Sequence, residues 1–336
     1  MSKAGSTDTL FPPPQHRRAT GAEPAVVGAP EAVGTSGPAA RLRALLGAGR
    51  PLLLGGMYDG VSARLVERLG FPAAFIGGYA VAASLFGEPD IGLLGQSEMA
   101  EAARRLCRLV SMPVLVDADT GYGGIANVQR TAELYAQAGA AGLFLEDQVW
   151  PKRCGHMAGK EVVPRAEWLA KLRAVVEMRP AIDLFLVART DARGPLGLDE
   201  ALLRGQLALE AGVDAVFVEA PQSLGELDAI SFAIRGHKVA NMVEGGRTPL
   251  LPLEELGRRG FDLVVHPVAA VLAQARALEH VLNTIRHEGT TAAVTDELYD
   301  FERLNALLGL DAHRARERAA LASVPSGRHD RSGGTS

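Results

Sequence analysis

Eight short apolar runs alternate along the chain with longer amphipathic stretches, and this repeat restricts the fold more than any other property of the sequence. The runs are PLLLGG (51–56), AAFIGG (73–78), PVLVDAD (113–119), AGLFLED (141–147), LFLVART (184–190), DAVFVEA (214–220), HKVANM (237–242) and DLVVHP (262–267). Helical patterns such as VSARLVERLG, SEMAEAARRLCRLV, ANVQRTAELYAQAGA and LDEALLRGQLALEAG fall between them, often closed by a glycine suited to a left-handed cap. Strands that alternate with helices build a parallel sheet, either a closed (β/α)8 barrel or a doubly wound open sheet. The strand ends favour the barrel. Nearly every run finishes in glycine or a polar group: Gly77 and Gly78, Asp117 and Asp119, Glu146, Arg189, Glu219, Asn241, His266. In a barrel these carboxyl ends converge on one mouth, whereas an open sheet would strand the outer ones far apart. An α/β fold, a (β/α)8 TIM barrel over residues 39–290, is therefore expected.

Around this unit, residues 1–38, rich in Pro, Gly, Ala and Ser, read as a disordered leader, and residues 323–336 as a disordered tail. Residues 291–322 read as further helices. The net charge of -4 gives no diffuse positive field, so a nucleic acid or an anionic membrane surface has no electrostatic support as a partner. No apolar run approaches the roughly 20 residues that span a bilayer, and the first residues lack the apolar stretch of a secretory signal. Two cysteines, Cys107 and Cys154, are too few for a disulfide framework or a structural zinc cluster, which fits a reducing cytoplasm. What remains is chemistry on a small molecule.

Asp117 and Asp119, two apart at a strand end, fall on the same side of the pleat. Two carboxylates that close repel unless a cation or proton sits between them, and hard oxygen donors select magnesium or manganese over zinc. Alone the pair also reads as aspartates capping the TGYGG turn. With Glu146 and Glu219 expected at the same mouth, the metal reading prevails. Arg189 can bridge to those acids and also take a substrate carboxylate, for which a planar guanidinium is well matched. Asn241 either bonds a substrate oxygen or satisfies a buried backbone group. His266 reads as a rim residue, and Cys107 as a small buried hydrophobe. The segment EDQVWPKRCGHMAGK (146–160) leads off the mouth and contains Pro151, Gly155 and Gly159, as hinged gating loops often do. Within it Cys154 neighbours Lys152, Arg153 and His156, and positive charge favours a thiolate.

These residues together resemble the isocitrate lyase and phosphoenolpyruvate mutase superfamily, from about Leu42 to about Gly289. DADTGYG, GLFLEDQVWPKRCGH, VARTDAR, FVEAP and NMVEGGRTPL occur in order at the expected strand ends. The resemblance implies a magnesium-dependent barrel, with manganese as a substitute, usually a homotetramer that exchanges C-terminal helices. By position, Asp117 contacts the metal, and Asp119, Asp90 and Glu146 hold it directly or through water. Arg189, Asn241 and the backbone of Gly77, Gly78 and Tyr79 then hold a small diacid, with Glu219 beside them and Lys152, Arg153, Gly155 and His156 on the loop above. The KRCGH loop resembles the lyase branch, whose members use this cysteine as the acid that protonates an enolate. Methylisocitrate lyases carry SGG where this chain has Gly77, Gly78 and Tyr79, and an arginine at the position of Leu272, so a tricarboxylate fits poorly. The combination is most similar to the petal death protein group, which acts on 2-alkylmalates and oxaloacetate. Carboxyphosphonoenolpyruvate mutases share KRCGH and NMVEGG, which leaves a phosphonate route open. The base that takes the first proton stays open among Tyr79, Glu219 and a hydroxide on the metal.

Overall fold

A computed structural model describes residues 37–157 and 159–323. The expected disordered leader and tail fall outside the described residues, except at their inner edges. There Pro38 opens the helix Pro38–Gly47 and so belongs to the fold.

The eight runs form eight strands, β1 Leu52–Gly56, β2 Ala73–Ile76, β3 Val114–Asp117, β4 Gly142–Glu146, β5 Phe185–Thr190, β6 Ala215–Val218, β7 His237–Asn241 and β8 Leu263–His266. Each pairs in parallel with the next, and β1 pairs with β8 to close the barrel. Side chains alternate across a strand, and this period sorts the apolar residues into two cores. Ile76, Val116, Leu143, Leu145, Leu186, Val216 and Val264 face outward and join the layer beneath the surrounding helices. Leu54, Phe75, Leu115, Phe144, Val187, Phe217, Val239 and Val265 fill the barrel interior.

The helix Pro38–Gly47 closes the amino-terminal end of the barrel. Its Ala39, Leu42 and Leu46 belong to the interior core. Arg43 locks it there, donating to Asp214 (3.0 Å), Asp183 (2.5 Å) and the Leu184 carbonyl (3.0 Å), groups that lead into β5 and β6. With this end sealed by apolar packing, the opposite end is left for chemistry.

At that end, one step of two residues beyond the apolar layer changes the character of every position. Phe75 is followed by Gly77, Leu115 by Asp117 and Asp119, Phe144 by Glu146, Val187 by Arg189 and Asp191, Phe217 by Glu219, and Val239 by Asn241. Phe75, Phe144 and Phe217 form the floor, with edge-to-face contacts of 4.9 and 5.9 Å between successive rings. The Arg189 guanidinium lies 5.5 Å above the Phe217 ring.

Past the barrel, the helix Ala269–Glu288 buries only Val271, and Leu278, Leu282 and Ile285 are exposed. The helices Phe301–Leu307 and Leu310–Ala322 bury no residue. Among the described residues no helix is long and apolar enough to cross a membrane.

Candidate active site

Six buried acids, Asp90, Asp117, Asp119, Glu146, Asp191 and Glu219, meet three buried cations, Lys152, Lys160 and Arg189, above the aromatic floor. Asp117 is fixed at the end of β3: its Oδ2 accepts from the Gly78 N–H (3.2 Å) and its Oδ1 from the Asp119 N–H (3.1 Å). The turn that follows holds Asp119 in left-handed backbone (φ 46°), which aspartate tolerates better than most residues. Lys152 Nζ sits 2.5 Å from Asp90 Oδ1 and 2.7 Å from Asp119 Oδ1. Burial alone would lower its pKa, but Asp119 and Asp90 outweigh this and raise it well above the usual lysine value.

The negative charge is not fully matched. Glu146 Oε2 lies 3.1 Å from Arg189 Nη1 but off the line of a hydrogen bond, and Oε1 has no hydrogen-bond partner. Burial raises the Glu146 pKa well above its ordinary value, despite Arg189. Burial likewise pushes Asp119 up to about 7, with Asp117 and Asp90 adding to it against the pull of Lys152. Buried carboxylates in this condition take up a proton or a cation. Asp117, Asp119, Asp90 and Glu146 offer only oxygen donors, which suit a hard divalent ion. Among the described residues no group of three or more His, Cys, Asp or Glu forms a ready-made metal cage; the Lys152 ammonium bridges two of the acids instead.

Arg189 is the hub of the other side. Its Nε donates to Asp191 Oδ2 (2.9 Å), and Nη2 lies 3.4 Å from Glu219 Oε2. Although burial pushes Asp191 up, Arg189 and Lys160 pull harder and hold it at about 2. Glu219 is lowered in the same way, by Arg189 and His156 against burial. Asn241 Nδ2 lies 3.4 Å from Glu219 Oε2, while its Oδ1 is buried with no hydrogen-bond partner. An arginine and an amide on one glutamate suit recognition of a carboxylate, since the guanidinium keeps its charge at any working pH.

The 148–162 segment closes over these groups. Its base is zipped by main-chain bonds from Val149 to the Glu161 carbonyl (2.9 Å) and from Val163 to the Asp147 carbonyl (2.8 Å), and by a bridge between Gln148 and Val162. Gln148 grips the backbone of Arg153 by both its amide atoms, at 2.8 and 3.0 Å. The Arg153 side chain is exposed. At the tip, Cys154 N–H donates to the Asp90 carbonyl (3.1 Å). Gly155 rests on the Arg189–Glu219 pair so closely that a Cβ there would stand 2.6 Å from Arg189 Nη2 and 2.5 Å from Glu219 Cδ. Gly155 thus serves close approach rather than hinging. His156 accepts from the Arg247 N–H at Nδ1 (3.0 Å), which leaves its ring proton on Nε2, 3.1 Å from Glu219 Oε1.

The expectation of a Cys154 thiolate is overturned. Burial pushes this thiol up to about 11, with Asp90 and Glu219 adding to the rise. The Lys152 charge, which should have lowered it, is spent on Asp90 and Asp119. Cys154 therefore keeps its thiol proton through the neutral pH range. Cys107 is buried, its thiol raised by burial to about 12, as suits a small core residue. His266 is half-buried and faces Glu244 at 3.1 Å, on the rim. Tyr79 is half-buried and packs against the outer apolar layer.

Four residues of the site were not singled out by the sequence. Asp191 repeats at β5 the two-residue spacing that marked Asp117 and Asp119, and this could have revealed it. Asp147 backs Asp191, accepting from its N–H (2.7 Å), from Thr190 Oγ1 (2.6 Å) and from Arg204 (3.0 Å). Lys160 and Arg247 gave no such signal, because their roles depend on where loops return in space.

The phosphoenolpyruvate phosphomutase family matches residues 42–286. The petal death protein of Dianthus caryophyllus is 48% identical over 262 residues, covering 78% of this chain and 82% of that protein. A chloroplastic carboxyvinyl-carboxyphosphonate phosphorylmutase of Arabidopsis thaliana is 48% identical, covering 78% of each chain. The 2,3-dimethylmalate lyase of Eubacterium barkeri is 42% identical, covering 83% of this chain and 96% of its own. Among solved structures, an oxaloacetate acetylhydrolase in complex with the inhibitor 3,3-difluorooxalacetate superposes with a TM-score of 0.81 at 34% identity, covering 84% of this chain and 97% of that one. A phosphonopyruvate hydrolase complex with oxalate and Mg++ superposes with a TM-score of 0.77 at 28% identity, covering 85% and 100%. On the closed barrel, the polar strand ends and these matches together, the chain belongs to the phosphoenolpyruvate phosphomutase family, within the isocitrate lyase and phosphoenolpyruvate mutase superfamily.

Proposed function

We propose that the protein is a magnesium-dependent lyase that cleaves a carbon–carbon bond in a small 2-hydroxy or 2-oxo diacid, a 2-alkylmalate or oxaloacetate. The observation that carries this reading is a protonated, half-buried thiol on a loop whose next residue rests on the Arg189–Glu219 pair. Asp117, Asp119, Asp90 and Glu146 would hold the ion, magnesium or manganese. When bound, it supplies Lewis acidity to the substrate's 2-oxygen and neighbouring carboxylate.

The chain's own residues then divide the work. Arg189 and Asn241 hold a substrate carboxylate and oxygen, beside the backbone of Gly77 and Gly78. Glu219, kept ionised by Arg189 and His156, sets their orientation and is a candidate for the first proton acceptor. The closed loop excludes water, so the departing carboxylate-stabilised enolate is met by the Cys154 S–H, which gives its proton to carbon. A 2-alkylmalate yields a 2-oxo acid and acetate; oxaloacetate and water yield oxalate and acetate. The inhibitor and oxalate complexes of the two superposed enzymes support small two- to four-carbon acids as the ligand class.

Proton NMR of oxaloacetate, citramalate, longer 2-alkylmalates and methylisocitrate, each with magnesium or with chelator, tests the reading. Acetate is expected from at least one four- or five-carbon diacid, and only with magnesium. Diacid binding without product from any of them would instead mark an idle barrel. The phosphorylmutase among the relatives favours a second reading, transfer of a phosphoryl group between oxygen and carbon, which phosphorus NMR with a phosphonate substrate separates directly.

The close seat of Gly155 gives a sharper check. Gly155→Ala is expected to lower kcat/KM about 10²-fold, the cost typical of displacing reacting groups by an ångström, with the melting temperature little changed. Parent-like kinetics would mean that the loop does not seat on Arg189 during turnover.

The exposed Leu278, Leu282, Ile285, Phe301 and Leu321 on the C-terminal helices support a homotetramer in which these helices are exchanged between subunits. The two unpaired cysteines support a reducing cytoplasm as its location.

A further inference from the structure

We infer that Lys160 is a positioning residue, a latch that holds the tip of the 148–162 loop down by joining the Gly155 carbonyl to Asp191, the carboxylate that orients Arg189. The inference deepens the reading above and rests on it.

Lys160 stands on the returning limb of the loop, next to Glu161, whose carbonyl is part of the zipped base. Its backbone is therefore anchored while its side chain reaches back under the tip. The buried Nζ donates to Gly155 O (2.5 Å) and to Asp191 Oδ1 (2.7 Å).

The far end of this bridge is rigid. Asp191 is fixed to the barrel through Asp147, which in turn holds Thr190 and Arg204. The near end, Gly155, belongs to the tip above the zipped base, where the neighbouring residues are held by single bonds, Cys154 N–H to the Asp90 carbonyl and Arg247 N–H to His156. One carboxylate thus serves two cations. Asp191 Oδ2 takes Arg189 Nε (2.9 Å), while Oδ1 is shared between Lys160 Nζ and, more distantly, Arg189 Nη2 (3.3 Å). How Lys160 divides itself between Gly155 and Asp191 therefore alters the hold of Asp191 on Arg189. Closure of the tip and aim of the guanidinium become one event, mediated by a single ammonium.

The test reads loop opening without any substrate. Cys154 is alkylated with iodoacetamide in the full-length protein and its variants, and peptide mass mapping separates it from buried Cys107. Lys160→Met is expected to speed Cys154 alkylation by at least about tenfold, in line with the loss of a charge-assisted hydrogen bond. Removing a nearby cation disfavours the thiolate, so electrostatics alone would slow the reaction; acceleration reports opening. Lys160→Arg, which keeps the charge and the donors, is expected to restore most of the protection. The same loss should appear in cleavage as a higher KM for the diacid together with a lower kcat, since Arg189 aims poorly when the tip is up. Alkylation of Lys160→Met within twofold of the parent, at an unchanged melting temperature, overturns the latch. Should methionine prevent folding, Lys160→Gln is read by the same measurement, with faster alkylation supporting the latch and a parent-like rate overturning it. If no diacid is cleaved, the lyase reading fails while the alkylation result still decides the latch.

Discussion

Cys154→Ser is expected to cut turnover by about 10²–10⁴-fold, the range lost with a positioned acid or base, while diacid binding stays within about threefold of the parent. The expectation follows from the state of the thiol. Burial holds it up to about 11, so the proton is present throughout the neutral range, where the enolate of the proposed reaction would take it. Serine keeps the size and the hydrogen-bonding contact with the loop, but its hydroxyl is a far weaker acid, so the loss falls on proton delivery rather than on closure. Because the main chain of residue 154 donates to the Asp90 carbonyl whatever its side chain, the tip should still seat. Single-turnover rates with magnesium, alongside equilibrium binding of oxalate, separate the two effects. Turnover within tenfold of the parent would remove Cys154 from the proton-transfer step and leave the loop with a purely shielding role.

The barrel was legible in the sequence because its information is local. Each strand announced itself by an apolar run, and the two-residue period that fills the interior with Leu115, Phe144 and Phe217 carries directly to Asp117, Glu146 and Glu219. Counting from the apolar layer to the next inward position is enough to gather these acids. Arg189 and Asn241 follow by the same rule. What the sequence did not reveal depends on chain segments meeting far from where they are written. Lys152 looked like a neighbour that would acidify Cys154, yet it turns away to bridge Asp90 and Asp119, and the thiol is left to burial. Lys160 looked like one more charge on a basic loop until the loop's return placed it on Asp191. His156 gained its tautomer from the amide of Arg247, ninety-one positions away, which no spacing rule anticipates. Glycine spacing was misleading in a physical sense as well: Gly155 resembled a hinge, but its lack of a side chain serves contact with Arg189 and Glu219.

Asp117→Asn is expected to abolish both diacid cleavage and the stabilisation of the fold by magnesium. The side chain keeps its shape, and its remaining carbonyl oxygen can still accept from Gly78 or Asp119, so the end of β3 should stay in place. What is lost is one negative charge from the group of Asp90, Asp117, Asp119 and Glu146, in which burial already raises the pKa values of Glu146 and Asp119 against the pull of Arg189 and Lys152. Removing a charge eases the repulsion on Asp119, but the amide nitrogen leaves one of the two main-chain N–H groups without its acceptor, so without added metal the variant should fold with a stability near or somewhat below that of the parent. A ligand at about 100 times its Kd stabilises the native state by about 2.7 kcal/mol. The parent should therefore melt several degrees higher in saturating magnesium than in chelator, and the variant at the same temperature in both. The two measurements guard each other, since lost activity alone could come from a misplaced loop, whereas a lost magnesium shift in a variant that still melts cooperatively points to the carboxylate. A full magnesium shift in Asp117→Asn, or a parent enzyme fully active in chelator, would mean that these acids serve the substrate's protons and not a metal ion.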